Sequence, residues 1–145
     1  MGWFNYYGLI FIAVIMVPNI FYALKNRQLS GTGFTNKALE TVEQIGRCGC
    51  MALMIFNIPY TYFGFWFEGA IAVYISVNAV LCLVYCILWV IFFNREGKVK
   101  ALSLSVIPTL VFVFSGCMLA DIPLIVFAVV FGVCHIYISY KNSTV

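Results

Sequence analysis

The sequence predicts an all-α, polytopic integral membrane protein, one domain over residues 1–145 that crosses the bilayer as a bundle of five transmembrane helices. Two observations support this prediction. Hydrophobic residues make up 64% of the 145-residue chain and charged residues only 9%, against roughly 25% charged residues in a soluble domain. In addition, the chain contains five apolar runs, each close to the ~20 residues that a helix needs to cross the hydrocarbon core.

These five runs cover residues 6–24, 38–59, 69–93, 101–120 and 122–140. In lipid, backbone N–H and C=O groups find no water, so each run is predicted to be an α-helix that satisfies them internally. The runs are continuously apolar, whereas the strands of a transmembrane barrel alternate between apolar and polar residues. The sequence therefore favours helices throughout.

The basic residues are segregated in a way that fits an odd number of spans. The loops after the first and third spans and the C-terminal segment hold seven of the eight basic residues: Lys25, Arg27, Lys37, Arg95, Lys98, Lys100 and Lys141. The opposite side holds Glu68 and Asp121 and no Lys or Arg. The positive-inside rule then predicts an outside N-terminus and a cytoplasmic C-terminus, in the cytoplasmic membrane of a bacterium.

The second span is unusual because it carries a row of polar side chains into an apolar run. At about 100° per residue, one narrow stripe contains Asn36, Glu40, Glu43, Gln44 and Arg47. Hydrocarbon does not tolerate such a stripe, which is therefore predicted to face protein or a wet cavity. Glu43 and Arg47 are spaced i, i+4 and can form an ion pair. The alternative is an entry turn at the membrane interface, with Arg47 extending to lipid phosphate.

Polar residues of other spans are expected at the same depth as this stripe. At ~1.5 Å per residue from the cytoplasmic boundaries, one layer contains Asn19, Arg47, Ser103, Ser105 and His135. Such a layer predicts a site that opens to the cytoplasm. Asn78, in the middle of the third span, is instead predicted to join helices by hydrogen bonding, and Gly46 and Gly49 are predicted to allow close helix approach.

Several function classes are disfavoured. The net charge of +3 is small and dispersed, which argues against a nucleic-acid partner. The six cysteines lie in apolar runs without metal-ligand spacing, so they are interpreted as structural thiols, and neither a metal nor a cofactor is expected. The chain carries none of the common hydrolase, metalloprotease or phosphate-loop motifs, and no catalytic residue is assigned.

The leading functional hypothesis is a small transporter, or a protein that binds a solute or a lipid, with a charged intramembrane site near the cytoplasmic side. The predicted binding residues are Glu40 at the mouth of the site and Glu43, Arg47, Asn19 and His135 within it. Two acids and one arginine favour a cationic, zwitterionic or proton-coupled ligand. A homo-oligomer is expected if a solute must cross, since five helices enclose little space.

Two alternatives belong to other classes of protein. One is a membrane-embedded enzyme that acts on a lipid-like substrate, with Glu43 or His135 as the acid–base group. The other is a non-catalytic membrane subunit whose polar stripe docks a partner helix.

The stretch VPNIFYALKNRQLSGTG, residues 17–33, resembles the first-helix signature of PQ-loop and SWEET-type carriers. In those carriers a proline and an amide residue lie near the cytoplasmic end of an N-out helix, before a basic polar loop. The resemblance implies a carrier function and an amide at the site. Asn19 stands where the usual glutamine would be, and five spans match neither the three-helix unit nor the seven-helix form, so no family is assigned from it.

Overall fold

The computed structural model describes residues 4–25, 36–58, 67–95 and 97–144. Its helices are α1 (Tyr6–Lys25), α2 (Lys37–Ile55), α3 (Ala70–Phe92), α4 (Lys98–Leu119) and α5 (Ile122–Thr144). The all-α class is confirmed, and one helix lies at each predicted run. Pro59, the predicted end of the second run, lies outside the described residues, as does 26–33 of the carrier-like stretch. α4 begins at Lys98, before the predicted start at residue 101.

Three of these helices, α3, α4 and α5, are long and apolar enough to cross a membrane. α1 contributes a shorter apolar stretch, Tyr6–Tyr22. The apolar side chains on the outside of the bundle are those expected of a surface that faces lipid, for example Val90 and Val133, which are 79% and 66% exposed. These features are those of a membrane protein.

The helices form a closed ring, and α2 also contacts α4 across it. The order around the ring is α1, α2, α5, α4 and α3, and α3 returns to α1. α4 and α5 are joined by a tight turn, where Ala120 adopts a left-handed conformation (φ 50°) and the Asp121 N–H donates to the Gly116 carbonyl at 2.9 Å. This short connection makes α4 and α5 antiparallel neighbours.

Small residues bring α2 close to its two neighbours in the ring. An added Cβ at Gly46 would lie 3.0 Å from the Phe131 Cβ of α5, and one at Gly49 would lie 2.7 Å from the Phe127 ring. The predicted close approach at these two glycines is confirmed. On the other side, a Cβ at Gly8 of α1 would fall on the Met54 carbonyl of α2. Because these positions lack a side chain, α2 is held tightly between α1 and α5.

Polar side chains fix the ends and the middle of the helices. Asn36 caps α2, as its Oδ1 accepts from the Leu39 N–H at 3.3 Å. Asn5 accepts from the Gly8 N–H at the start of α1 and donates to the Tyr74 hydroxyl of α3. Asn78 of α3 is fully buried and donates to Ser115 Oγ of α4 at 3.2 Å, which confirms its predicted role in joining helices.

Asp121, in the turn between α4 and α5, gives a pH-dependent prediction. Its Oδ1 accepts from the Leu124 N–H at 3.1 Å, while the whole residue is buried. Burial raises the pKa of this carboxyl group, and the backbone hydrogen bond opposes that rise. Because the folded protein then holds the proton more tightly than the unfolded chain, the stabilisation is present at low pH and is lost as pH rises through the raised pKa.

We therefore expect the contribution of Asp121 to the thermal stability of the detergent-solubilised protein to fall as pH rises above about 4, the unfolded Asp pKa. Asp121→Asn keeps the cap and removes the charge, so its stability should exceed that of the wild type at neutral pH and converge with it in acid. Melting temperatures across this pH range measure the effect. Identical pH profiles for the two proteins would contradict the assigned protonation.

Candidate functional site

An acid–base cluster joins α2 to α5. The Glu43 Oε1 atom accepts from Arg47 Nη2 at 2.5 Å and lies 2.8 Å from His135 Nδ1. The Glu43 side chain is 8% exposed, against 30% for Arg47 and 22% for His135. With Glu43 ionised, His135 Nδ1 carries the hydrogen and donates it to Glu43 Oε1. The predicted ion pair is present, and His135 is its third member.

Phe131 supports this cluster from one turn below His135 on α5. Its ring is 2% exposed and stacks on the imidazole, with centroids 4.8 Å apart and planes inclined by 17°. The Arg47 guanidinium carbon also lies 5.7 Å from the centre of the Phe131 ring. The apolar ring therefore limits the positions open to both hydrogen-bond partners of Glu43.

Asn19 of α1 is held in a defined orientation. The Tyr85 hydroxyl of α3 donates to Asn19 Oδ1 at 2.7 Å, and Asn19 Nδ2 donates to the Ile15 carbonyl at 3.2 Å. An amide has two N–H groups, so Asn19 keeps a second donor beyond this bond. Two helices thus fix a polar group at the level of the cluster.

A cavity of about 190 Å³ lies inside the ring beside the cluster. Four helices contribute to its wall, and the lining residues are Ile15, Met16, Asn19, Arg47, Met51, Pro108, Phe112, Phe131 and His135. Asn19, Arg47 and His135 are the polar members of this wall, and the rest is apolar. This combination, an apolar wall with a few fixed polar groups, is typical of small-molecule sites.

A larger cavity, about 510 Å³, lies at the end of the ring where α1, α3 and α5 end and α4 begins. Its wall includes Asn19 and His135, which also line the interior cavity, so the two cavities lie next to each other at these residues. The remaining lining residues are Tyr22, Trp89, Gly97, Lys100, Ala101, Leu104, Ser105, Ser139 and Asn142. We call this space the end cavity.

The structure brings together four of the five predicted binding residues. Glu43, Arg47 and His135 form the cluster, and Asn19 lies on the wall that both cavities share. Glu40 lies elsewhere, in a lateral cleft of α2 with Lys37, Thr41, Gln44 and Ile138, and Glu43 also borders that cleft. Depth explains the separation, since Glu40 lies seven residues, or about two turns, before Arg47 on α2.

The predicted polar layer is reproduced in part. Ser105 lines the end cavity and its hydroxyl is 2.6 Å from that of Ser139. Ser103 lines neither cavity. Lys100 and Trp89, which were not among the predicted binding residues, also line the end cavity. The sequence contains one indication that Lys100 belongs to the site: it lies at a predicted cytoplasmic boundary, next to an aromatic-rich helix end.

No protein-family model matches this chain, and no curated protein or solved structure matches it at a significant level.

The ion pair gives a stability prediction. Arg47→Met leaves the buried Glu43 carboxylate with one partner instead of two, at an expected cost of roughly 3 kcal/mol, the low end of the usual range because Arg47 is partly exposed. Adding Glu43→Gln in the same chain removes the poorly compensated charge and should recover part of that loss. Chemical unfolding in detergent, arranged as a double-mutant cycle, measures both effects.

Lys37→Met is the matched control, because it removes a positive charge from an exposed position of the same helix. We expect it to change the free energy of unfolding by less than about 0.5 kcal/mol. Additive effects of the Arg47 and Glu43 substitutions would contradict a coupled pair.

Proposed function

We propose that the protein binds a small molecule or a lipid inside its helix ring and acts as a small membrane transporter or a membrane binding protein. In this proposal all five helices cross the cytoplasmic membrane of a bacterium, with the N-terminus outside and the C-terminus in the cytoplasm. The end cavity then opens on the cytoplasmic side. Copies of the chain associate if the solute crosses the membrane, because five helices enclose little space.

The observation that carries the proposal is the position of the Glu43–Arg47–His135 cluster at the wall of a space inside the ring. Charged groups within a membrane bundle are costly, and they are found mainly where they serve a ligand or ion pathway. A cluster with only a structural role needs no cavity beside it. Here His135 is bonded to Glu43 and also lines both cavities, so a ligand that enters from the end cavity meets a group of the cluster directly.

The two cavities suggest a path for the ligand. It enters the end cavity, passes Asn19 and His135, and reaches the interior space beside Arg47. Beyond that space, Met51 and Phe112 form part of an apolar wall. Transport then requires that this wall open on the far side while the cytoplasmic side closes, as in alternating access.

The topology is tested by labelling single cysteines in intact bacterial cells, in a background in which all six native cysteines are replaced. Tyr62→Cys lies in the loop proposed to be outside, and Ser30→Cys lies in a loop proposed to be cytoplasmic. A membrane-impermeant maleimide should label only Tyr62→Cys in intact cells, and both after lysis. Labelling of both positions in intact cells would disprove the five-span count, and the reverse pattern would disprove the orientation.

The function is tested with three variants, Glu43→Gln, Arg47→Ala and His135→Ala, and with Gln44→Ala as the matched control from the exposed flank of the same helix. Native mass spectrometry of the purified protein identifies the bound small molecule or lipid, and proteoliposomes measure its uptake. We expect each variant to weaken binding by about tenfold or more, because one charged hydrogen bond contributes about 1.5–3 kcal/mol. Gln44→Ala should bind and transport as the wild type does.

The outcomes distinguish the proposed function from its alternatives. Wild-type binding by all three folded variants would rule out the cluster as the site. Loss of a co-purifying protein, with no small molecule bound, would indicate a membrane subunit. Chemical conversion of the bound molecule, lost in Glu43→Gln and His135→Ala, would indicate an enzyme.

A further inference from the structure

The volume of the interior cavity limits the size of the ligand that it can hold. This volume is about 190 Å³. An apolar cavity of about 150 Å³ holds one benzene molecule, and a water molecule in the liquid takes about 30 Å³. The interior cavity therefore accommodates one benzene-sized body with a small polar group attached to it. It is too small for the acyl chains of a phospholipid.

The apolar part of the wall suits an aromatic body. Phe112 and Phe131 are 3% and 2% exposed, and their rings meet edge to face with centroids 5.5 Å apart. Met16 and Met51 line the same cavity with flexible thioether side chains. Both ring edges and thioethers make favourable contacts with an aromatic ring. This part of the wall can therefore adapt to a ring without any polar group of its own.

Arg47 supplies hydrogen-bond donors to the cavity. A guanidinium carries five N–H groups, and the hydrogen bond that Arg47 makes to Glu43 Oε1 from Nη2 uses one of them. Arg47 lines the interior cavity, and its side chain is 30% exposed, whereas Glu43 borders the lateral cleft. Glu43 thus holds Arg47 from outside the cavity, and the other N–H groups of the guanidinium can bond to a ligand within it.

Asn19 supplies a further donor. Its Nδ2 donates to the Ile15 carbonyl at 3.2 Å, and a carbonyl can only accept, so this bond fixes the orientation of the amide. The Asn19 Oδ1 atom accepts from the Tyr85 hydroxyl at 2.7 Å. The second N–H of Nδ2 takes part in neither bond. Arg47 and Asn19 both present N–H groups, which match an acceptor on the ligand.

The charges around the cavity are compatible with a neutral or an anionic acceptor. Among the described residues that line the interior cavity, Arg47 carries a permanent positive charge and none carries a carboxylate. Glu43 offsets the charge of Arg47 from the cleft side. A ligand ammonium would place a second cation beside the guanidinium and is therefore disfavoured.

We infer that the interior cavity binds a compact, ring-sized molecule through a carbonyl or carboxylate oxygen, which accepts hydrogen bonds from Arg47 and Asn19. The inference rests on the proposed function, because it names the class of ligand for the same site. The shared chemistry is an oxygen acceptor on a small apolar body, which a neutral amide and a carboxylate both offer.

Four probes of nearly the same shape test the acceptor: benzoate, benzamide, benzylamine and toluene. They are titrated calorimetrically into the full-length protein in neutral detergent, and a titration into empty micelles corrects for partitioning. We expect benzoate, benzamide or both to bind saturably, and benzylamine and toluene to bind about tenfold or more weakly, because they offer no oxygen acceptor. The ratio of the benzoate and benzamide affinities shows whether the acceptor is charged.

Substitutions at the two donors test their role. Arg47→Met and Asn19→Leu should each weaken the acceptor probes about tenfold or more. Arg47→Lys keeps a cation beside Glu43 but lacks the planar fork of donors, so it should fold and still bind more weakly. Lys37→Met is the matched control, because it removes a cation from the lateral cleft of the same helix, and it should change the affinity less than about twofold. Melting temperatures check the folding of each variant.

A larger probe tests the size limit. 2-Naphthoate carries the same carboxylate as benzoate on two fused rings, and it should bind the wild type about tenfold or more weakly than benzoate does. Met51→Ala enlarges the interior cavity at a partly buried position and should recover binding of 2-naphthoate. Because a loss of stability does not produce a gain of binding, this recovery locates the probe in the interior cavity.

Several outcomes would overturn the inference. They are equal affinity of the acceptor probes for the folded Arg47 variants and the wild type, tighter binding of benzylamine than of either acceptor, equal binding of 2-naphthoate and benzoate by the wild type, and no binding of any probe. In each of these cases, a molecule that co-purifies with the wild type and is lost in Arg47→Ala leaves the proposed function intact. If no probe binds and no molecule co-purifies, the proposed function fails as well.

Discussion

The structure around the site depends on one constraint: the Glu43 carboxylate is buried between α2 and α5 and has to be compensated there. A carboxylate removed from water costs several kcal/mol unless charged hydrogen-bond donors surround it. Arg47 supplies one donor from the same helix, and His135 supplies the other from across the interface. The second bond ties the register of α5 to that of α2, because a shift of either helix by one residue would turn His135 away from Glu43.

The packing of small residues makes this arrangement possible. Gly46 lies one turn from Glu43 toward the interior, and it contacts Phe131 closely enough that a side chain at position 46 would displace α5. Phe131 in turn stacks on His135. The same close approach therefore brings the imidazole within hydrogen-bond distance of the carboxylate and covers the pair with an apolar ring. The hydrogen bond between His135 and Glu43 and the packing of Gly46 against Phe131 therefore belong to the same contact between α2 and α5.

The sequence predicted the helices and most of the cluster, and physical reasons explain what it missed. The i, i+4 spacing of Glu43 and Arg47 predicts their bond directly, and depth counting places Asn19 and His135 at the same level. Depth alone, however, does not give the rotation of a helix. α1, α3, α4 and α5 are apolar on nearly every face, so their sequences carry no period that marks the inward side. The sequence consequently did not assign Lys100 and Trp89 to the end cavity, and it grouped Glu40 with Arg47 and His135 although Glu40 lines the lateral cleft and neither cavity.

The position of Glu43 also determines how the interior cavity can respond to a ligand. Arg47 and His135 both direct a donor at the same Glu43 oxygen, so a ligand acceptor has to compete with Glu43 for these two N–H groups. A ligand that displaces Glu43 loosens the contact between α2 and α5, and occupancy of the interior cavity is thereby coupled to the packing of the ring.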